Sequence, residues 1–146
     1  MNQEEKCSIS FFTVSFAKGF TSPNIPLASF QQGDKELIFG LDSCSENNVI
    51  NSEHLKDLDY KMVQNNNPRT LSGVGGTENV QMCSISFNCD SAYFTTDFLI
   101  SDSIQEALNQ IKKVHGITVH GLLGSLFLKE HNIIMDFNNM VAYSRA

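Results

Sequence analysis

Three stretches of the chain carry residue types that can do chemistry. They are Phe39-Gly40-Leu41-Asp42-Ser43-Cys44-Ser45, Leu71-Ser72-Gly73-Val74-Gly75-Gly76, and Gly121-Leu122-Leu123-Gly124-Ser125-Leu126-Phe127-Leu128. In the first, a carboxylate ends an apolar run, where it can take or give a proton at a fixed place. An Asp-Ser pair alone is no signal, because Asp90-Ser91 and Asp102-Ser103 occur as well, and a strand-end Asp is most often a solvated turn residue. The other reactive types do not cluster. His54, His115, His120 and His131 are scattered, with only His115 and His120 loosely paired, so neither a metal nor another cofactor is expected. Cys7, Cys44, Cys83 and Cys89 include no Cys-x-x-Cys pair, and a chain of this size folds without staples; they read as free, reduced thiols.

The elements that must position these residues read as mostly β. The 146 residues fit one domain, 1–146, and 41% hydrophobic against 18% charged residues is a globular balance. No run of about 18 apolar residues exists to span a bilayer, and the acidic start Met1-Asn-Gln-Glu-Glu-Lys is unlike a secretory leader. The expectation is a soluble, cytoplasmic protein with no membrane partner. A net charge of -6 without a basic stripe excludes nucleic acid as an expected partner.

An opening strand is expected over Cys7 to Phe16, from its alternation and the β-favouring Thr13 and Val14. A turn follows at Ser22-Pro23-Asn24. Leu27 to Gln31 and Glu36 to Leu41 then form a hairpin across Gln32-Gly33-Asp34, and its second strand runs into Asp42. Asn51 or Ser52 caps a short helix through Leu55. After the polar loop Asn65 to Pro68, Thr70 to Val74 and Glu78 to Phe87 flank a Gly75-Gly76 turn, and Ala92 to Ile100 is a further strand. A helix is expected from Asp102 or Ser103, because Ser103 and Glu106 have capping-box spacing, closed by Gly116 and with Ile104, Leu108 and Ile111 on its packed face. The tail reads as a strand Gly121 to Gly124, a helix Ser125 to His131, and strands Ile133 to Phe137 and Met140 to Tyr143 around Asn138-Asn139. Many short strands with one or two short helices indicate a closed or folded-over β architecture.

The order and spacing of the three stretches resemble the retropepsin-like aspartic peptidases, and most nearly their single-lobe bacterial members, over residues 24 to 143. The shared pattern is an apolar run into Asp-Ser, a glycine-rich hairpin, and an apolar-apolar-Gly element followed by a short helix and the Asp-containing strand Ile133-Ile134-Met135-Asp136-Phe137. The resemblance implies a retropepsin-like acid protease β-barrel. It makes Asp42 the catalytic carboxylate and Ser43 a hydroxyl bonding across a dimer axis. Ser72, Gly73, Val74, Gly75 and Gly76 become the flap, and Leu122, Leu123 and Gly124 the apolar backing of the active-site loop.

Peptide hydrolysis by water needs a base and an acid, which two adjacent carboxylates sharing one proton supply. The chain offers one such Asp, so this reading requires a two-fold homodimer acting on a peptide or protein substrate, with no cofactor. Cys44 stands where the family has glycine. It is a tolerated substitution in a working enzyme, the mark of a catalytically inactive dimerisation or peptide-binding module, or a reactive thiol. The last is the weakest, because a cysteine nucleophile needs a base beside it and its neighbour is a carboxylate. A β-barrel binding a small apolar ligand is a third class of function.

Overall fold

A computed structural model of the chain describes residues 12–21, 24–63, 69–73 and 76–144. In chain order the elements are β1 (Phe12–Ser15), α1 (Lys18–Thr21), β2 (Leu27–Gln32), β3 (Lys35–Leu41), β4 (Val49–Ile50) and a 3-10 turn (Ser52–Asp57). Then come β5 (Lys61–Met62), β6 (Arg69–Gly73), β7 (Gly76–Cys89), β8 (Ala92–Ile100), α2 (Gln105–His115), β9 (Gly121–Leu123), α3 (Ser125–Glu130), β10 (Ile133–Asp136) and β11 (Val141–Ser144). Strand makes up 44% of the structure. No described helix is long and apolar enough to cross a membrane.

Six strands close on themselves in the order β2-β3-β9-β4-β8-β7, and β7 returns to β2 where Asn88 faces Gln31. Closure removes the open edges that a flat sheet would expose. β2 and β3 meet at a two-residue turn in which Gly33 takes φ +64°, a backbone region open to glycine and disfavoured for other residues. β7 and β8 form the longest ladder, from Gln81 opposite Ile100 to Cys89 opposite Ala92. A smaller sheet, β1-β11-β10, is built from the two ends of the described chain. The inward face of β1 is Phe12 and Val14, followed by Phe16, with Thr13 turned outward.

The barrel interior is filled by aromatic rings. Phe30, Phe39, Phe87, Phe94, Phe98 and Phe127 are all buried, with centroids 5.0 Å apart for Phe30 and Phe87 and 5.3 Å for Phe39 and Phe98. Edge-to-face and tilted contacts at this range are favourable beyond the area they bury. A ligand inside the barrel would have to displace these rings. A second cluster forms outside, where Leu108 of α2, flanked by Ile104 and Ile111, packs on Leu27, Ile38 and Val119. The helix lies on the barrel through the face its spacing predicts.

Its start differs from the expectation. α2 begins at Gln105 after Ile104, with no side-chain cap, and the two residues read as its start have other partners. Ser101 Oγ donates to Ser103 Oγ at 2.9 Å, and Asp102 Oδ1 accepts from Ser52 Oγ at 2.6 Å. The closing Gly116 takes φ +73° and donates to the Lys112 carbonyl, as its position predicts. Asn51 caps the 3-10 turn, its side chain accepting from the Glu53 amide at 3.0 Å. The residues expected to form the start of the first strand (7–11), the Ser22-Pro23 turn and the Asn65 to Pro68 loop lie outside the described residues.

Candidate active-site loop

β3 delivers Asp42. Its last residues run parallel to β9, with Phe39 opposite Gly121, Gly40 opposite Leu122 and Leu41 opposite Leu123. One step on, the Asp42 amide donates to the Leu123 carbonyl at 2.9 Å. β4 pairs antiparallel with the other side of β9, Val49 opposite Leu122. The chain thus leaves β3, crosses the end of β9 through residues 42 to 48, and returns on β9's far side.

That crossing leaves no room for side chains on β9's ends. A Cβ on Gly121 would run into the Val49 carbonyl, and one on Gly124 would lie 2.5 Å from the Asn47 oxygen and 2.6 Å from the Ser45 oxygen. Leu123 between them is fully buried in the aromatic core, and Leu122 packs its Cδ2 over Gly40. The first and third stretches singled out in the sequence are therefore brought together in one braced loop.

The loop is held by the start of α3. The first amides of a helix have no partner within it, and here they donate outward: Gly124 to Asn48 Oδ1 at 2.8 Å, Ser125 to the Ser45 carbonyl at 2.6 Å, and Leu126 to the Glu46 carbonyl at 3.1 Å. Asp42 itself is half-buried. Its Oδ1 accepts from the Cys44 amide at 3.0 Å, and its carbonyl accepts from the Ser45 amide at 3.2 Å, which fixes the carboxyl plane. Oδ2 has no hydrogen-bond partner among the described residues. Ser43 and Cys44 are exposed.

Cys44 is not among the non-glycine residues with positive φ, which are Asn24, Asp90, Asn132 and Met140 among the described residues. Within the chain this position makes no demand for a glycine backbone. Of the other described cysteines, Cys83 is buried and Cys89 partly so: burial, and after it the charge of Asp97, pushes the Cys83 thiol up to about 12. Cys89 is raised by burial and then by Asp90. Such thiols are held protonated and poorly nucleophilic. No group of three or more His, Cys, Asp or Glu side chains is placed to hold a metal among the described residues.

The glycine-rich hairpin is present as a ladder, with Arg69 opposite Val80 and Ser72 opposite Thr77. Gly73 faces Gly76, and the tip residues Val74 and Gly75 of the expected flap lie outside the described residues. His120, read as a loose partner of His115, has His54 as its neighbour, ring centroids 5.0 Å apart. Concavities of about 320, 390 and 410 Å³ lie beside Thr96 and Phe127, along α2, and beside His120 and Gly116. Asp42 lines none of these three.

No protein-family model matches the sequence, and no curated protein is significantly similar to it.

Proposed function

We propose that this chain is one subunit of a homodimeric aspartic endopeptidase, with Asp42 of each copy meeting at a two-fold axis. The observation that carries the reading is the state of Asp42: one carboxyl oxygen is tied to the Cys44 amide, the other is open, and the loop beneath is stitched to β9 and α3. An acid-base group needs such a fixed plane and a free oxygen. Two such carboxylates close together share a proton. The ionised one takes a proton from water as the water attacks the peptide carbonyl, and the protonated one supplies a proton to the leaving nitrogen. With one such Asp per chain the cleft would form between two copies, and the glycine-rich hairpin would supply a cover that excludes water from the bound strand.

Cleavage of a mixed peptide library by the full chain tests this. Asp42→Asn is expected to lower the rate by about 10²–10⁴-fold, the usual worth of a positioned acid-base group. Equal cleavage by wild type and Asp42→Asn, or a stable monomer at high concentration, contradicts it. A second reading rests on the exposed Cys44 thiol, which would meet its twin at the axis and hold the carboxylates apart. In that case the dimer binds a peptide strand without cutting it, and Cys44→Gly restores cleavage that Asp42→Asn abolishes.

A further inference from the structure

Asn48 does not stand out in the sequence, where it is one of two asparagines ahead of Val49-Ile50. In the fold it is buried, 6% exposed, and its amide group is used at three points on two other segments. Oδ1 accepts from the Gly124 amide at 2.8 Å, and Nδ2 donates to Thr96 Oγ1 at 3.1 Å and to the Asp97 carbonyl at 3.0 Å. Its own backbone carbonyl accepts from the Leu99 amide at 2.8 Å. A buried Asn satisfied on both ends holds its partners in one geometry, because any shift leaves a polar group unpaired away from water.

The partners are the two segments that frame Asp42. Gly124 directly follows Leu123, whose carbonyl receives the Asp42 amide, and it opens α3, whose next two amides hold the Ser45 and Glu46 carbonyls of the same loop. Thr96 and Asp97 belong to β8, which pairs with β4 at the other end of the loop. Asn48 thus caps α3 from outside and ties the far end of the 42 to 48 crossing to Gly124 and to β8. A glycine at position 124 cannot cap with a side chain, and the crowding described above forbids any other residue there.

We infer that Asn48 is a positioning residue for Asp42, setting the orientation of its carboxyl through Gly124 and the start of α3; the inference rests on the peptidase reading. Its side chain does not enter the reaction. Loss of the Oδ1 acceptor frees the Gly124 corner, and the Leu123 carbonyl that anchors the Asp42 amide moves with it.

The test uses the full chain and two readouts. In peptide cleavage, Asn48→Ala is expected to lower kcat by about tenfold or more while KM stays within about twofold, the pattern of a lost alignment and not of lost binding. In carbon-detected NMR, the Asp42 carboxyl resonance shifts and the Gly124 amide loses exchange protection. Leu108→Ala, in the separate cluster under α2, serves as a control of comparable destabilisation and is expected to move neither readout. If Asn48→Ala does not fold, Asn48→Ser, which keeps a short acceptor, replaces it. An unchanged Asp42 resonance and kcat in the Asn48 variant overturns the inference, as does an equal shift in Leu108→Ala. If wild type cuts nothing, the peptidase reading falls, while the NMR comparison still decides the role of Asn48.

Discussion

At Gly124 an added Cβ would lie 2.5 Å from one backbone carbonyl oxygen and 2.6 Å from another, neither of which can rotate away. At Cys44, where the resemblance expects glycine, the backbone lies outside the positive-φ region and the side chain reaches solvent. The two positions therefore respond oppositely to substitution. Gly124→Ala is expected to cost about 1–3 kcal/mol of folding stability through overpacking. Cys44→Gly is expected to cost about 0.5–1 kcal/mol, through the freer unfolded chain alone. Urea unfolding of the two variants checks both, and a Gly124→Ala protein as stable as wild type contradicts the crossing geometry. At this scale the sequence was legible where chemistry sits at a strand end, as for Asp42. It was silent on Asn48, whose partner Gly124 lies 76 residues away, because a polar residue ahead of a strand looks the same whether it faces water or a buried amide.

His120 occupies the point where β9 enters between β3 and β4. Its backbone amide donates to the Ile38 carbonyl at 2.8 Å, and the Ile38 amide donates to its Nδ1 at 3.1 Å, so the ring completes a rung of the β3–β9 pairing. Burial, and then His54, lowers its pKa from 6.5, while the backbone hydrogen bond to Ile38, then Asp57 of the 3-10 turn and Glu36 of β3, pull the other way; Lys18 lines the same concavity. With the folded value below the unfolded one, the unfolded chain takes up the proton first. Stability is therefore unaffected by this group above the unfolded pKa and falls as pH drops below about 6.5 until the folded ring titrates. His120→Gln is expected to flatten that part of the urea-midpoint profile, and an unchanged slope contradicts the assignment.

Asp136 adds to the same acid-side loss. Its carboxylate is held below the usual range by the Asn139 side chain and then by the Asn139 and Asn138 amides, so its contribution is present above the unfolded pKa and disappears as pH falls through the folded one. Most elements were legible from period and turn residues, including both strands of the β2–β3 hairpin and the α3–β10–β11 tail. The misread start of α2 has a plain cause. Asp102 and Ser103 satisfy the local capping pattern, but Ser52, 50 residues away, claims the carboxylate, and local spacing carries no information about such a competitor.

Across the molecule, a ring of six strands encloses a stack of six phenylalanines, and the Asp42 loop, α2 and the terminal sheet are attached to that wall. Phe39 and Phe87 sit at the centre of the stack, 5.2 Å apart. Phe87→Ala is expected to cost about 3–5 kcal/mol, the range for emptying an aromatic core site, as measured by equilibrium unfolding; a loss below about 1 kcal/mol would mean that the interior is loosely filled. The mostly β composition and a closed barrel were readable from the sequence, while the pairings that close it were not, because the parallel β3–β9 ladder and the β2–β7 pairing at Gln31 and Asn88 join distant segments. The proposed homodimer belongs to this scale too, since a chain with one such Asp needs a second copy to pair two carboxylates. Mixing wild-type and Asp42→Asn subunits tests that claim most directly. If each active site needs two Asp42 carboxylates, an equal mixture that exchanges subunits freely retains about a quarter of the wild-type cleavage rate at fixed total protein; about half would show that each chain cuts alone and would contradict the shared site.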